Sequence, residues 1–146
     1  MEIQIKSQKR IPELRNPKIR RNLKKVLNDL GCHDKELSIV FTDDARMAKL
    51  NAQYLGREGS TNVIAFPMSG GPQPQVQSEM LGDVVISVDT ARDESRLQGE
   101  PMAETIYRLL IHGILHLLDY DHERSSMESR RMEKEQTRLL DLVKGD

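Results

Sequence analysis

Apolar residues recur along this chain at two spacings, and the switches between them predict its elements. Met1–Ile5 alternates weakly and reads as a first strand. Asn16-Pro17 then offers an N-cap with proline at the first helical position. Ile19, Leu23, Val26, Leu27 and Leu30 follow at helical spacing, and Gly31 stops the helix. Leu37, Ile39 and Phe41 alternate as a second strand. Thr42-Asp43-Asp44 caps a second helix whose inner face is Met47, Leu50 and Tyr54 and whose stop is Gly56. The run 62–66, closed by Pro67, is a short strand. Residues 67–80, rich in Gly, Pro, Gln and Ser, form a loop. Val84–Val88 is the most strand-like stretch, introduced by Gly82-Asp83, and Asp89 caps a helix that ends near Gly99. Pro101 opens a helix with a broad apolar surface, formed by Ile106, Leu109, Leu110, Ile114 and Leu117. Ser125-x-x-Glu128 matches a capping box and starts the last helix, with Met132, Leu139, Leu140 and Val143 as its inner stripe.

Strands and helices interleave, which predicts an α/β (α+β) layer. The expectation is one domain over residues 1–146, with a mixed sheet of about four strands packed with about five helices. Strand order does not follow from the pattern. With 37% apolar and 31% charged residues the composition suits a globular chain. No apolar run reaches membrane-spanning length, and the N-terminus lacks the apolar core of a signal peptide. The single Cys32 cannot form an internal disulfide, which points to a reducing cytoplasm. Net charge is −1, which argues against a strongly basic nucleic-acid binder. Residues 1–31 nevertheless carry nine basic side chains against three acidic ones, a local balance of +6. That excess is either a face that tracks phosphates or an ordinary solvated helix face.

Chemistry concentrates at His112-Gly113-Ile114-Leu115-His116-Leu117-Leu118-Asp119-Tyr120-Asp121-His122, which holds three of the four histidines. On a helix, His112 and His116 lie about 40° apart in direction and about 6 Å apart along the axis, so both rings reach one ion. His122 is too far along a continuous helix to join them. The helix must therefore stop, and Asp119-Tyr120-Asp121 is the place for a turn, since Asp tolerates left-handed backbone angles. Three imidazoles are a frequent first shell for zinc and leave a fourth position for water, the mark of a catalytic site. A lone histidine on an apolar helix is usually a hydrogen-bonded core residue; three at i, i+4 and i+10 are not explained that way. Imidazole also suits nickel, copper and iron, so zinc is favoured rather than required. The zinc-protease pattern H-E-x-x-H needs a glutamate after the first histidine, and here that residue is Gly113. Asp119, Asp121 and Glu123 could orient a ligand histidine or be solvated turn residues.

The motif closely resembles the H-G-x-L-H-L-x-G-Y-D-H signature of the YbeY-type endoribonucleases, bacterial metalloproteins linked to ribosomal RNA maturation. Asp119 stands where that family usually has Gly. The resemblance extends to Leu50-Asn51, Tyr54, Gly56 and Thr61–Pro67, similar to an L-N-x-x-Y-R-G run followed by P-T-[DN]-V-L-S-F-P. It also takes in Leu81-Gly82-Asp83-Val84-Val85-Ile86, and so covers most of residues 46–122. It implies a zinc-dependent, single-strand-specific endoribonuclease that matures the 3′ end of small-subunit 16S rRNA and acts in ribosome quality control. It also implies the small ribosomal subunit, a ribosomal protein and an Era-type GTPase as partners, and no membrane. One zinc per chain would be held by His112, His116 and His122, to polarise a phosphoryl oxygen or supply hydroxide. The family's Arg after the Tyr of the second block is replaced here by Leu55. Arg57 is the nearest substitute, and its ordinary role would be a solvated turn residue. Arg108, four residues before His112, shares that ligand's helix face and is a second candidate cation, or else a salt-bridge residue. Thr61 and Asn62 are candidate substrate-binding residues whose commoner role is to cap and bound a strand.

Two other readings stay open. A metzincin-like protease would need an unconventional base, because Gly113 supplies none. A non-catalytic assembly factor stabilised by its metal is kept in view by Leu55, since leucine cannot hold a phosphate.

Overall fold

A computed structural model describes residues 2–68, 80–120 and 125–144. Its elements run β1 (Ile3–Ser7), α1 (Asn16–Asp29), β2 (Glu36–Thr42), α2 (Asp44–Leu55), β3 (Val63–Pro67), β4 (Met80–Ser87), α3 (Val88–Gln98), α4 (Met102–Leu117) and α5 (Ser126–Lys144). The four strands form one mixed sheet in the order β1-β2-β4-β3. β1, β2 and β4 are parallel, and β3 is antiparallel to β4 at one edge. The expected fold class, four strands with five helices, is the one observed.

Period-two alternation sorts the sheet into two faces. One register row runs Ile5, Ile39, Val84, Ala65, and the next Ser7, Phe41, Ile86, Val63. Leu37, Ile39, Val84 and Ile86 on this face are fully buried, in one core with Ile19 and Leu23 of α1, Ile106, Leu110 and Ile114 of α4, and Met132 and Leu139 of α5. The opposite face carries a small second core of Met47, Ile64 and Val85, covered by α2. Helix α4 is central. Eleven of its sixteen residues are buried, and it touches α3, α5, β3 and β4.

Local chemistry explains where the elements end. Asp43 caps α2 by accepting from the Arg46 amide at 2.9 Å, and Gly56 ends it in the left-handed region. The Ser125 hydroxyl accepts from the Glu128 amide at 3.1 Å, as the capping box predicts. Four expectations need correction. Asn16 does not cap α1: Arg15 is the N-cap residue, with no side-chain cap bond, and Asn16 is already helical. β4 begins at Met80 and ends at Ser87, and Val88 opens α3 rather than closing the strand. The cap of α3 is therefore Ser87, whose Oγ accepts from the Thr90 amide, while Asp89 sits in the first turn and accepts from the Asp44 amide. Tyr54 is exposed instead of facing inward, because α2 packs through Met47 and Asn51, and its ring meets Phe66 edge-on. Most of the expected 67–80 loop, residues 69–79, lies outside the described residues.

Candidate functional site

Helix α4 delivers both of its histidines to one side of a cleft. His112 and His116 are partly buried, with their Nε2 atoms 3.1 Å apart and their rings edge to face at 4.6 Å between centroids. The helix can lie this close to the sheet because residue 113 has no side chain. A Cβ there would come within 2.7 Å of Val84 Cγ1 and 3.1 Å of Val84 Cγ2. Gly113 is thus a packing residue, and no carboxylate stands beside the histidine pair at that position.

The helix stops where the motif requires. The Tyr120 amide donates to the Leu115 carbonyl and the Asp119 amide to the His116 carbonyl, both at 3.0 Å. This is the Schellman pattern, with Asp119 at the left-handed position (φ 72°). Asp119 is the one non-glycine residue with positive φ among those described. His122, the third expected ligand, lies outside the described residues, as do Asp121 and Glu123. Among the described residues no three His, Cys, Asp or Glu side chains form a metal-binding group.

The cleft beside the pair has a volume of about 650 Å³, and its far wall is formed by the α2–β3 connection and β3. Arg57, Thr61 and Asn62 line it together with His112 and His116, so five of the expected site residues meet there. Leu55 also lines it and is half exposed. Asn62 has structural duties as well. Its Oδ1 accepts from the Val63 amide at 2.7 Å, and its Nδ2 donates to Glu94 at 2.6 Å.

Arg108 is not among the cleft-lining residues. Its Nη2 donates to Glu100 at 2.8 Å and to Glu94 at 3.2 Å. Burial alone would lower its pKa, but the Glu100 and Glu94 carboxylates outweigh that and raise it. Arg108 therefore reaches the cleft only at second hand, through Glu94 and Asn62. Of the basic N-terminal segment, Lys9 pairs with Asp89 in the first turn of α3 at 3.3 Å, while β1 and α1 are remote from the cleft. The Arg20 guanidinium donates to the Ile3 carbonyl, which places α1 beside β1, and β1 lies at the sheet edge opposite β3. Three strand spacings separate those edges, about 14 Å.

The histidine pair fits a tetrahedral metal. With metal–nitrogen bonds of about 2.0–2.1 Å, the edge of such a site is about 3.3 Å, close to the 3.1 Å observed. One contact not foreseen in the sequence supports the same fit. His112 Nδ1 lies 2.8 Å from Oε1 of Gln136, on α5.

A family model described as endoribonuclease YbeY matches residues 2–144. The chain belongs to that family. Endoribonuclease YbeY of Syntrophus aciditrophicus is 38% identical over 99% of this chain and 91% of its own length. The YbeY of Syntrophotalea carbinolica is 42% identical over 84% of this chain and 82% of its own, and that of Geobacter metallireducens 38% over 100% and 98%. The solution structure of a Thermotoga maritima protein, 22% identical, superposes with a TM-score of 0.71 over 98% of this chain and 89% of that one, and shares the fold. Among the described residues no helix is long and apolar enough to cross a membrane.

Proposed function

We propose that this chain is a single-strand-specific, zinc-dependent endoribonuclease that matures the 3′ end of small-subunit 16S rRNA and takes part in ribosome quality control. The observation that carries the reading is the pairing of the His112 and His116 Nε2 atoms, 3.1 Å apart, in a cleft that also holds Arg57. His112, His116 and His122 hold one zinc ion. When bound, it supplies Lewis acidity toward a phosphoryl oxygen and lowers the pKa of water. Arg57 stabilises the negative charge that builds on the phosphoryl oxygens during attack. Thr61 and Asn62 contact the RNA backbone from the same wall, with Asn62 held by Glu94 and, behind it, Arg108. The small ribosomal subunit, a ribosomal protein and an Era-type GTPase are the partners, and the cytoplasm is the compartment.

The test is cleavage of a labelled single-stranded RNA by zinc-loaded protein beside His116→Ala and Arg57→Ala. Loss of cleavage in His116→Ala, and a fall of about 10²–10³-fold in Arg57→Ala, are the expected results. Equal activity in all three samples would sink the proposal, since a contaminating ribonuclease would then be the source. The product ends name the nucleophile: attack by the ribose 2′-OH leaves a 2′,3′-cyclic phosphate, and attack by water does not.

A second reading, a non-catalytic assembly factor stabilised by its metal, is favoured by Leu55, an apolar residue in the cleft where the family usually carries a cation. It requires that zinc raise the melting temperature and RNA bind without cleavage, with cleavage appearing in Leu55→Arg. Cleavage by the unaltered chain that is lost in His116→Ala rules it out.

A further inference from the structure

Helix α5 carries one polar residue in a row that its packing reserves for apolar ones. Met132, Leu139 and Val143 are each at most 3% exposed. Stepping along that face by four, three and four residues gives Met132, Gln136, Leu139 and Val143. An apolar side chain at 136 would continue the stripe. Glutamine carries polar atoms that cost free energy to bury without partners, and Gln136 is partly buried. Its Oε1 lies 2.8 Å from His112 Nδ1.

That contact fixes more than a distance. An amide oxygen only accepts, so the hydrogen belongs to Nδ1 of His112. A neutral imidazole carries one N–H, so Nε2 is left with its lone pair, and Nε2 is the atom 3.1 Å from Nε2 of His116. A ligating histidine typically donates its other ring N–H to such a partner. The partner here comes from a different helix. α5 is anchored independently by its buried stripe and by Arg138, which pairs with Asp29 of α1 at 2.7 Å.

We propose that Gln136 is a positioning residue for His112: its amide oxygen holds the imidazole as the Nδ1–H tautomer and turns Nε2 toward the metal position. The metal half of this statement rests on the function proposed above; the tautomer half does not. Gln136 touches neither substrate nor ion, and it acts through the ring it orients.

The test uses Gln136→Leu, which completes the apolar stripe but cannot accept a hydrogen bond, and Gln136→Glu, which can. Two readouts are needed besides cleavage. The first is zinc affinity by competition with a chelator. Gln136→Leu is expected to weaken it by about 10- to 100-fold with no fall in the melting temperature of the metal-free chain, and Gln136→Glu to restore most of it. The second is the His112 ring nitrogens by NMR in the metal-free chain. Wild type is expected to show a protonated Nδ1 and a lone pair on Nε2, and Gln136→Leu to shift the proton toward Nε2. A wild-type ring protonated at Nε2, or a Gln136→Leu variant unchanged in both readouts, overturns the assignment. A wild-type chain that takes up no zinc yet keeps Nδ1–H on His112 removes the metal from the proposed function and upholds Gln136 as the residue that orients the ring.

Discussion

Asp119 holds a backbone position (φ 72°) that glycine adopts without steric cost. Its Cβ strains the Schellman turn, although aspartate tolerates the region better than most residues. Asp119→Gly should therefore stabilise the chain by about 0.5–1 kcal/mol, since the left-handed penalty exceeds the added backbone entropy of glycine. At this chain length that is a rise of about 2–4 °C in melting temperature, and a fall would show that the Asp119 side chain contributes more than its backbone costs. The turn was legible because its chemistry is local. Gln136 was not, although the spacing of Met132, Leu139 and Val143 contained the signal: a polar residue in an apolar row. What it bonds to is 24 residues away, and only the packing of α5 on α4 brings the two together. Asn62 and Arg108 were legible as candidates, with strand-bounding and salt-bridging as their structural alternatives, but the residue that joins them was not. Their shared partner is Glu94, on α3, so their roles depend on how three elements meet.

At the scale of elements, two junctions hold the cleft walls. The first is the approach of α4 to β4 at Gly113. Gly113→Ala gains about 1 kcal/mol of helix propensity, but its methyl group would press on Val84, and overpacking of this kind costs about 1–3 kcal/mol. The net effect should be destabilising in the native background and stabilising in a Val84→Ala background, measured as urea midpoints. An equal effect in both would show that Val84 is not the obstacle. The second junction is Asp44, at the start of α2. Its Oδ1 accepts from Ser87 at 2.5 Å, Thr90 at 2.6 Å and Ser60 at 2.9 Å, which ties α2 to the β4–α3 corner and to the segment before β3. Those hydroxyls, Ser87 foremost, hold its pKa below the ordinary aspartate value, which is about 3.9. The stabilisation is then fully present above the unfolded value and lost as pH falls through the lower, folded one. Asp44→Asn should lower stability at pH 7, with the gap to wild type narrowing below about pH 4. A gap that is constant with pH would mean that the aspartate charge contributes nothing to this node.

At the scale of the whole molecule, the layer arrangement followed from the alternation of spacings, but the sheet order did not. β4 inserts between β2 and β3, and that choice is made by long-range pairing such as Ile39 with Val84. No window of sequence contains it. The order has a functional result, because it puts β3 at an edge with α4 against it, and the cleft lies between them. The two imidazoles belong to one rigid rod, and their separation is set by a four-residue step within it. The reach from that pair to Arg57 is set across a layer of buried side chains. Thinning that layer, as Ile114→Val does at a cost of about 1 kcal/mol, is expected to shift the rod as a body against β3. Zinc affinity should then stay within about threefold of wild type while cleavage falls by tenfold or more, as misplacement across a reacting centre does. Parallel losses in the two would mean that the cleft walls do not move independently. On the proposed function, damage to the core would register first as lost turnover, in a chain that still folds and still binds zinc.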